Sequence, residues 1–153
     1  MVCHANVSRS IIAEALLKKM LAERGRDDVV VTSGGIAPYA RDTSLVSMDA
    51  RLVLRDDEIH ISPDTMACDL KRHRDRLSDA DVIVTMTAEQ KRMLADFPEA
   101  NGKDVVTLAE AAGESDDVED PAGRDEHFYQ ACRDQIRRCL EKAIDRLAPP
   151  FTG

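Results

Sequence analysis

The sequence has few aromatic residues: it contains no tryptophan, and phenylalanine and tyrosine together make up 3% of its 153 residues. We therefore expect a core built from Leu, Ile, Val, Ala and Met. The sequence also lacks an apolar run long enough to cross a membrane and an N-terminal apolar segment followed by small residues. These absences predict a cytoplasmic protein that has neither a membrane span nor a membrane partner.

Positive charge is in deficit, with 21 Lys and Arg residues against 29 Asp and Glu residues and a net charge of −8. Binding to a phosphate backbone needs a surplus of Lys and Arg, so we do not expect nucleic acid as a partner. An acidic enzyme can still act on anions, provided that its pocket is locally positive.

The four cysteines form no Cys-x-x-Cys pair and no Cys/His cluster at the spacing typical of zinc sites. We therefore expect no metal and no other cofactor, and reduced thiols instead of disulfides. Cys132 and Cys139 fall on the apolar face of the last predicted helix, together with Phe128, and are expected in the core. Cys68 lies in a polar stretch and is expected to be a surface thiol.

Apolar periodicity divides the chain into alternating helices and strands. The pattern predicts helices over residues 10–24, 44–56, 87–98 and 124–147. It predicts strands over residues 29–32, 81–86 and 103–108. Largely apolar strands that alternate with amphipathic helices indicate an α/β protein with a parallel sheet between two helical layers. We expect one domain over residues 1–148, followed by a loose C-terminal tail over residues 149–153.

The segment Cys3-His-Ala-Asn-Val-Ser-Arg-Ser10 stands immediately before the first predicted helix. A loop of this length can curl so that its backbone N–H groups form an anion-binding nest, to which the helix adds its positive N-terminal end. Arg9 can hold two oxygens of a tetrahedral anion, and the same positive features favour a nucleophilic thiolate at Cys3. Ser10 is suited to hydrogen-bond the sulfur, and Asn6 is suited to brace the loop.

The plainer interpretation of this loop is a buried, inert cysteine near the N-terminus. The chemical interpretation gains support from Asp120, within Glu119-Asp-Pro-Ala-Gly123. Cleavage of a phosphate ester needs a proton donor for the leaving oxygen, and Pro121 and Gly123 predict a fixed turn that would hold this carboxyl in place. Asp-Pro alone is a common turn signal, but beside the Cys-x5-Arg loop Asp120 becomes the candidate general acid.

The Cys3 loop and the Asp120-Pro121 pair together resemble the low-molecular-weight protein tyrosine phosphatase family. That family joins an N-terminal Cys-x-Gly-Asn-x-Cys-Arg-Ser loop to an Asp-Pro general acid close to the last helix. The likeness extends to residues 13–15, 32–35 and 81–86. It implies a doubly wound four-stranded parallel sheet flanked by helices. Only Met1 and Val2 precede the nucleophile, so we expect either a start upstream of Met1 or a first strand that is nearly absent.

The resemblance implies a metal-free phosphatase that hydrolyses phosphotyrosine-type phosphomonoesters through a phosphocysteine intermediate. Cys3 would be the nucleophile, Arg9 would bind the phosphoryl group, and Asp120 would act as acid and then as base. The expected partner is a phosphorylated protein or a small phosphomonoester, with inorganic phosphate as product. The residues implied in substrate binding are His4, Ala5, Asn6, Val7, Ser8 and Ser10 of the loop, together with Tyr39.

Several positions depart from the family pattern. Ala5 stands where the family has glycine, so we expect strain in the loop, and Ser8 replaces a second loop cysteine. Ala122 replaces an aromatic residue that flanks the substrate, and Tyr39 could supply the missing wall. Val7 is nearer to the Ile of tyrosine-directed members than to the Thr that is frequent in protein arginine phosphatases, which favours phosphotyrosine.

Two other functions stay open. Related folds reduce arsenate with the same loop, which here would require a second cysteine to approach Cys3. A catalytically degenerate phosphate-binding module is favoured by the short first strand, by Ala5 and by Ala122.

Overall fold

The computed structural model describes residues 1–150, in which four parallel strands form one sheet. The strands are β1 (Val2–Cys3), β2 (Gly34–Gly35), β3 (Val82–Thr85) and β4 (Asp104–Thr107). Their order in the sheet is β2-β1-β3-β4, so the chain winds outward from β1 in both directions. This arrangement confirms the predicted doubly wound parallel sheet and its short first strand.

Six helices of the described residues surround the sheet. They are α1 (Arg9–Glu23), α2 (Met48–Arg55), α3 (Asp75–Ser78), α4 (Ala88–Met93), α5 (Leu108–Ala111) and α6 (Glu126–Leu147). Two short 3-10 turns follow α4, at Leu94–Asp96 and Pro98–Ala100. Within residues 1–150, none of these helices combines the length and the apolar character that a membrane crossing requires.

The sheet divides the core into two apolar clusters, because successive strand residues point to opposite faces. Ile83 of β3 belongs to the cluster under α3 and α4, whereas the adjacent Val84 belongs to the larger cluster under α1, α2 and α6. Val2 and Cys3 of β1 divide in the same way. Helices therefore cover both faces, as predicted.

The carboxyl end of β1 lies at the centre of the sheet, where ligands of doubly wound folds bind. The Cys3 carbonyl accepts a hydrogen bond from the Ile36 amide beyond β2, at 3.1 Å. On the other side the Val2 carbonyl accepts from the Met86 amide beyond β3, at 3.1 Å. The chain then crosses residues 4–8 and enters α1 at Arg9. The chemically distinctive loop is thus held between two neighbouring strands.

The predicted strand at residues 29–32 is wrong, because β2 lies further along the chain at Gly34–Gly35. Val30 is 84% exposed, although the pattern placed it in a buried strand. The Met1 amino group donates to the Thr32 carbonyl at 2.9 Å. Residues 29–31 belong to no strand of the structure.

Three predicted helix boundaries differ from the structure by two residues or more. The helix predicted from residue 44 begins at Met48, because Leu45 pairs with Met66 in an isolated antiparallel bridge. The helix predicted to residue 98 ends as an α-helix at Met93 and continues as 3-10 turns. The last helix begins two residues late, at Glu126.

The buried face of α6 contains Tyr129 instead of Phe128. Phe128 is 45% exposed, with the Arg124 guanidinium 4.5 Å from its ring centroid. Tyr129 is 3% exposed and packs into the larger cluster. The predicted burial of Cys132 and Cys139 on the same helix is confirmed. Residues 151–153 lie outside the described residues, so the loose tail at 149–153 and the single domain over residues 1–148 stay predictions.

We predict that Gly35→Ala disturbs the loop after β1. A Cβ at residue 35 would lie 2.7 Å from the His4 carbonyl oxygen and 2.8 Å from the Ala5 carbonyl carbon, both of which are backbone atoms. Overpacking of this kind costs about 1–3 kcal/mol, to be measured by denaturant unfolding. Because the displaced backbone adjoins Cys3, the alkylation rate of that thiol should also change.

Gly25→Ala is the matched control for Gly35→Ala. Gly25 has a φ of +67°, and a Cβ added there would meet no other group within 4 Å, so the substitution strains only its own backbone. It should cost about 1–2 kcal/mol without altering the Cys3 alkylation rate. Equal effects of the two variants on that rate would contradict the close packing of Gly35 against the loop.

Candidate active site

The Cys3 sulfur lies inside the loop formed by residues 3–10. Its Sγ is 2.9 Å from the Ser10 Oγ and accepts the Asn6 backbone N–H at 3.2 Å. Cys3 is buried, and its side chain faces the α1 and α6 side of the sheet. The sulfur therefore has two hydrogen-bonding neighbours just before the N-terminus of α1.

The loop backbone leaves N–H groups available to an anion. The amides of Ala5, Val7 and Ser8 have no hydrogen-bond acceptor among residues 1–150. Ser8 is the N-cap of α1, yet its side chain accepts no capping hydrogen bond from the first turn. Free amides at a helix N-terminus form the type of concavity that binds oxyanions.

Asn6 holds the loop in shape from within. It has a φ of +61° and is 1% exposed. Its side-chain Nδ2 donates to the Ser10 Oγ at 2.7 Å and to the Ser33 Oγ at 2.9 Å. Its Oδ1 accepts the Cys68 backbone N–H at 2.8 Å. One buried side chain therefore ties the loop to α1 and to the segments that follow β2 and precede α3.

The strain expected at Ala5 is not found there. Asn6 and Glu58 are the non-glycine residues with positive φ in the described part of the chain, and Ala5 is not among them. The left-handed turn of the loop falls on the next residue, and asparagine adopts that conformation more readily than most side chains. The Ala5 backbone lies close to Gly35, where an added Cβ would come within 3.1 Å of the Ala5 Cα.

Arg9 is buried under the loop, with one guanidinium nitrogen engaged by the main chain. Its Nη1 donates to the Val118 carbonyl at 2.9 Å, and its Nη2 lies 3.3 Å from the His4 Nδ1. The Asp120 Oδ2 lies 3.8 Å from the same Nη2. The carboxylate nearest to the Arg9 guanidinium is therefore the half-exposed Asp120, and among residues 1–150 no buried carboxylate pairs with Arg9 and neutralises its charge.

His4 accepts hydrogen bonds at Nδ1 from two directions. The Gln90 Nε2 lies 2.9 Å from this nitrogen, and the Arg9 Nη2 lies 3.3 Å from it. Because both neighbours are donors, the His4 proton is assigned to Nε2. The Glu89 Oε2 is 3.9 Å from that Nε2. His4 thus lies between the loop and the start of α4 and helps to fix the Arg9 guanidinium.

Asp120 is positioned by a turn of its own. Its Oδ1 accepts the Ala122 backbone N–H at 3.0 Å, and its side chain is 53% exposed. The preceding segment is attached to the sheet, because the Val118 amide donates to the Met86 carbonyl at 2.9 Å. This attachment brings a carboxylate that is distant in sequence to the mouth of the loop.

The remaining substrate-binding candidates lie around the loop at different depths. The Val7 carbonyl accepts the Ser47 amide at 2.9 Å, which connects the loop to α2. The buried Ser8 hydroxyl lies 3.5 Å from the Tyr129 hydroxyl. Tyr39 is 62% exposed on the turn after β2, and that turn is attached to the loop by the Ala37 amide, which donates to the His4 carbonyl at 3.0 Å.

Several site residues were not found by sequence reasoning. Gln90 is the N3 residue of the α4 capping box, and its side-chain amide also reaches His4. Ser33, Val118 and Tyr129 reach the loop only through the fold. Ser33 could have been identified as a polar residue directly after a predicted strand. The Val118 carbonyl is a backbone group, and no sequence signal distinguishes it from other backbone carbonyls.

The other three cysteines are buried and have no disulfide partner. The predicted surface location of Cys68 is wrong, because this residue is 8% exposed and packs against the smaller apolar cluster. Burial raises the pKa of the Cys132 thiol to about 12, against an opposing effect of Arg9. Burial likewise raises the pKa of the Cys68 and Cys139 thiols. These thiols are protonated at neutral pH.

A cysteine-led anion loop at the carboxyl end of a central parallel strand, with an arginine and an aspartate at its mouth, defines a cysteine-dependent phosphatase site. The chain belongs to the low molecular weight phosphotyrosine protein phosphatase family, whose model matches residues 1–149. One relative, a protein-arginine-phosphatase of Geobacillus stearothermophilus, is 32% identical over 148 residues and covers 96% of this chain and 90% of its own length.

Other relatives carry both names found in the family. The low molecular weight protein-tyrosine-phosphatase PtpB of Staphylococcus haemolyticus is 31% identical over 141 residues, which cover 92% of this chain and 93% of that protein. The crystal structure of a low molecular weight protein tyrosine phosphatase from T. tengcongensis superposes with a TM-score of 0.86 at 28% identity, covering 95% and 96% of the two chains. The YwlE arginine phosphatase of Geobacillus stearothermophilus gives a TM-score of 0.81 at 30% identity, covering 95% and 89%.

We predict that Asn6→Ala destabilises the protein by about 2–5 kcal/mol. Its buried partners lose their hydrogen bonds, at about 1–3 kcal/mol, and alanine adopts the left-handed conformation at a further cost of about 1–2 kcal/mol. Denaturant unfolding measures the loss. Asn6→Gly removes the same hydrogen bonds but tolerates the positive φ, so it should recover up to about 1 kcal/mol. Wild-type stability in either variant would contradict the bracing role.

Proposed function

We propose that the chain hydrolyses phosphomonoesters with Cys3 as nucleophile, Arg9 as phosphoryl-binding residue and Asp120 as general acid. The observation that supports the proposal most directly is the closed loop itself. The sulfur accepts the Asn6 N–H, the amides of Ala5, Val7 and Ser8 in the same loop have no acceptor among residues 1–150, and Arg9 and Asp120 approach each other to 3.8 Å. This arrangement stabilises negative charge where a transferred phosphoryl group carries it.

In the first step the Cys3 thiolate attacks phosphorus, and an S–P bond forms as the ester P–O bond breaks. The Asp120 carboxyl gives its proton to the leaving oxygen. In the second step the Asp120 carboxylate takes a proton from water, whose oxygen attacks phosphorus and releases inorganic phosphate. The Ser10 hydroxyl, 2.9 Å from the sulfur, stabilises the thiolate as it leaves.

The surroundings of the loop support a phosphotyrosine side chain as the substrate group. An apolar rim of exposed side chains lies where α2 and the bridge before it meet the loop. Leu45 and Met66 pair in that bridge and are each 57% exposed, and Met48 at the start of α2 is 60% exposed. The half-buried Val7 is attached to the same region through Ser47. An aromatic ring would bury apolar area against this rim.

A second candidate substrate is phosphoarginine in proteins. Relatives at 32% and 31% identity are named protein-arginine-phosphatases. The carboxylates of Glu89 and Asp120 lie at the mouth of this loop, where a cationic guanidinium would find opposite charge. Either substrate is a phosphorylated protein, and small phosphomonoesters would share the first step.

The thiol chemistry also bears on location and on the arsenate alternative. We propose that the protein acts in the reducing cytoplasm, because Cys3 must remain a free thiol and the other three cysteines are free as well.

Arsenate reduction would need a resolving thiol, and Cys68, Cys132 and Cys139 are buried with raised pKa values. The exclusion of nucleic acid as a partner stays a prediction.

We predict that Asp120→Asn lowers kcat, and that the loss is larger for a substrate whose leaving oxygen is more basic. With phenyl phosphate the loss should be about 10²–10⁴-fold, because a general acid contributes that much when the leaving oxygen needs a proton. With p-nitrophenyl phosphate, whose leaving oxygen is a weaker base, the loss should be smaller. Steady-state kinetics on both substrates measures the difference.

Two variants serve as controls for Asp120→Asn. Glu119→Gln removes a neighbouring exposed carboxylate and should leave kcat unchanged. Cys3→Ser should abolish turnover while phosphate still binds, as measured by calorimetry, because the loop amides and Arg9 remain. Turnover in Cys3→Ser protein would contradict the proposal, and phosphate binding by the wild type without turnover would select the degenerate binding module.

We predict that a phosphotyrosine peptide is hydrolysed with a higher kcat/KM than a phosphoarginine peptide of the same flanking sequence. The expected reason is contact of the ring with the apolar rim. Phosphate release from the two peptides measures the ratio. Met48→Ser should lower kcat/KM for the phosphotyrosine peptide by up to about tenfold, since one apolar contact is worth about 1–1.5 kcal/mol, and should leave a small aliphatic phosphomonoester, which has no ring, unaffected. A preference for phosphoarginine would select the second candidate.

A further inference from the structure

Three side chains of metal-ligating type converge at a place that the phosphatase chemistry does not use. Asp42, Cys68 and His73 each present one ligand atom, and these atoms lie within 4.8 Å of one another. Asp42 belongs to the segment after β2, whereas Cys68 and His73 precede α3. Their positions in sequence match no common zinc motif, so the fold alone assembles the group.

We propose that Asp42, Cys68 and His73 form a binding site for a divalent transition-metal ion of the zinc type. Zn²⁺ in proteins is bound by thiolate, imidazole and carboxylate ligands. Three such protein ligands, with water in the fourth position, are the usual set of an open tetrahedral zinc site. A hard cation such as Mg²⁺ would take oxygen ligands and would gain nothing from the thiolate.

The geometry requires only small side-chain movements. The His73 Nε2 lies 3.0 Å from the Asp42 Oδ2, so these two atoms must separate slightly to admit an ion, and all three ligand atoms already lie within 4.8 Å of one another. Around tetrahedral Zn²⁺ the ligand atoms lie about 3.3–3.7 Å apart, given metal–ligand distances of about 2.0–2.3 Å. Cys68 is buried and fixed, whereas the His73 side chain is 47% exposed and can adjust.

The surroundings contain the support that a metal ligand usually has. The Asp42 Oδ1 accepts the Asp69 backbone N–H at 2.7 Å, which orients the carboxylate and leaves Oδ2 for the metal. Asp42, Cys68 and His73 line the same cavity of about 390 Å³. This volume admits the water that would complete a four-coordinate site.

Two arginines oppose a cation here. The Arg72 Nη1 lies 3.7 Å from the Asp42 Oδ2, but the Arg72 side chain is 75% exposed and can swing into solvent. Arg76 lines the cavity and donates to the Ser33 carbonyl at 2.9 Å, so its positive charge remains beside the site. When the metal is bound, the Asp42 carboxylate and the Cys68 thiolate supply two negative charges, which outweigh the charge of Arg76. We therefore expect selective binding by a thiolate-seeking metal over Mg²⁺ or Ca²⁺.

The proposed metal site is connected to the nucleophile by three hydrogen bonds. The Cys68 N–H donates to Asn6, the Asn6 side chain donates to Ser10, and the Ser10 Oγ lies 2.9 Å from the Cys3 sulfur. Metal binding itself does not depend on phosphatase activity. The failure of one proposal is therefore distinguishable from the failure of the other.

We test the site by titrating Co²⁺ into reduced Cys3→Ser protein, which removes the reactive thiol as a competing ligand. One equivalent should produce a near-ultraviolet thiolate-to-cobalt charge-transfer band that Zn²⁺ abolishes and excess Mg²⁺ does not. Adding Cys68→Ser should remove the band, and adding His73→Ala should weaken Co²⁺ binding at least about tenfold. Adding His60→Ala, which changes an exposed histidine elsewhere, should alter neither.

Absence of the band in Cys3→Ser protein, or its persistence after Cys68→Ser, would overturn the proposal. Circular dichroism and thermal unfolding without metal check that each variant folds. If Cys68→Ser does not fold, His73→Ala decides the matter, because His73 is half exposed. Unchanged Co²⁺ affinity in that variant would equally reject the site.

Discussion

The structure depends on one buried asparagine that keeps a turn of backbone closed around a sulfur. Asn6 adopts a left-handed conformation and engages Ser10, Ser33 and the Cys68 amide. These bonds direct its own N–H to the sulfur of Cys3 and leave the neighbouring amides free. Local strain at a functional position persists when the surrounding structure over-determines it, and here three separate segments do so.

The second feature of the site is the positive charge of the buried Arg9, which its neighbours compensate only in part. Arg9 is buried, but its partners among residues 1–150 are a carbonyl, a histidine nitrogen and a half-exposed carboxylate at 3.8 Å. A closer buried carboxylate would have neutralised the charge before a substrate arrived. The positive field therefore remains available to an incoming oxyanion within a chain whose net charge is −8. The proposed function and the acidic composition are thus compatible.

Close backbone packing allows so short a central strand to hold the site. β1 has two residues, yet it pairs with β2 and β3 on either side. Gly34 and Gly35 have no side chains, and this lets Leu70 and the loop backbone approach β2 closely. The Ala5 backbone, at the position where the family pattern has glycine, also lies close to Gly35. Close backbone packing therefore holds the short strand at the end where the candidate site is located.

Sequence patterns predicted a parallel sheet and four of its helices, and indicated Cys3, Arg9 and Asp120 as the candidate site, because periodicity and loop motifs are local signals. They misplaced β2, the start of α2, and the burial of Phe128 and Cys68, which depend on what lies opposite each segment. The fold was needed to show that Gln90 and Val118 contact site residues and that Asp42 approaches His73. These contacts join residues that are far apart in the chain, so they form and stabilise the protein only when the sheet has brought the segments together.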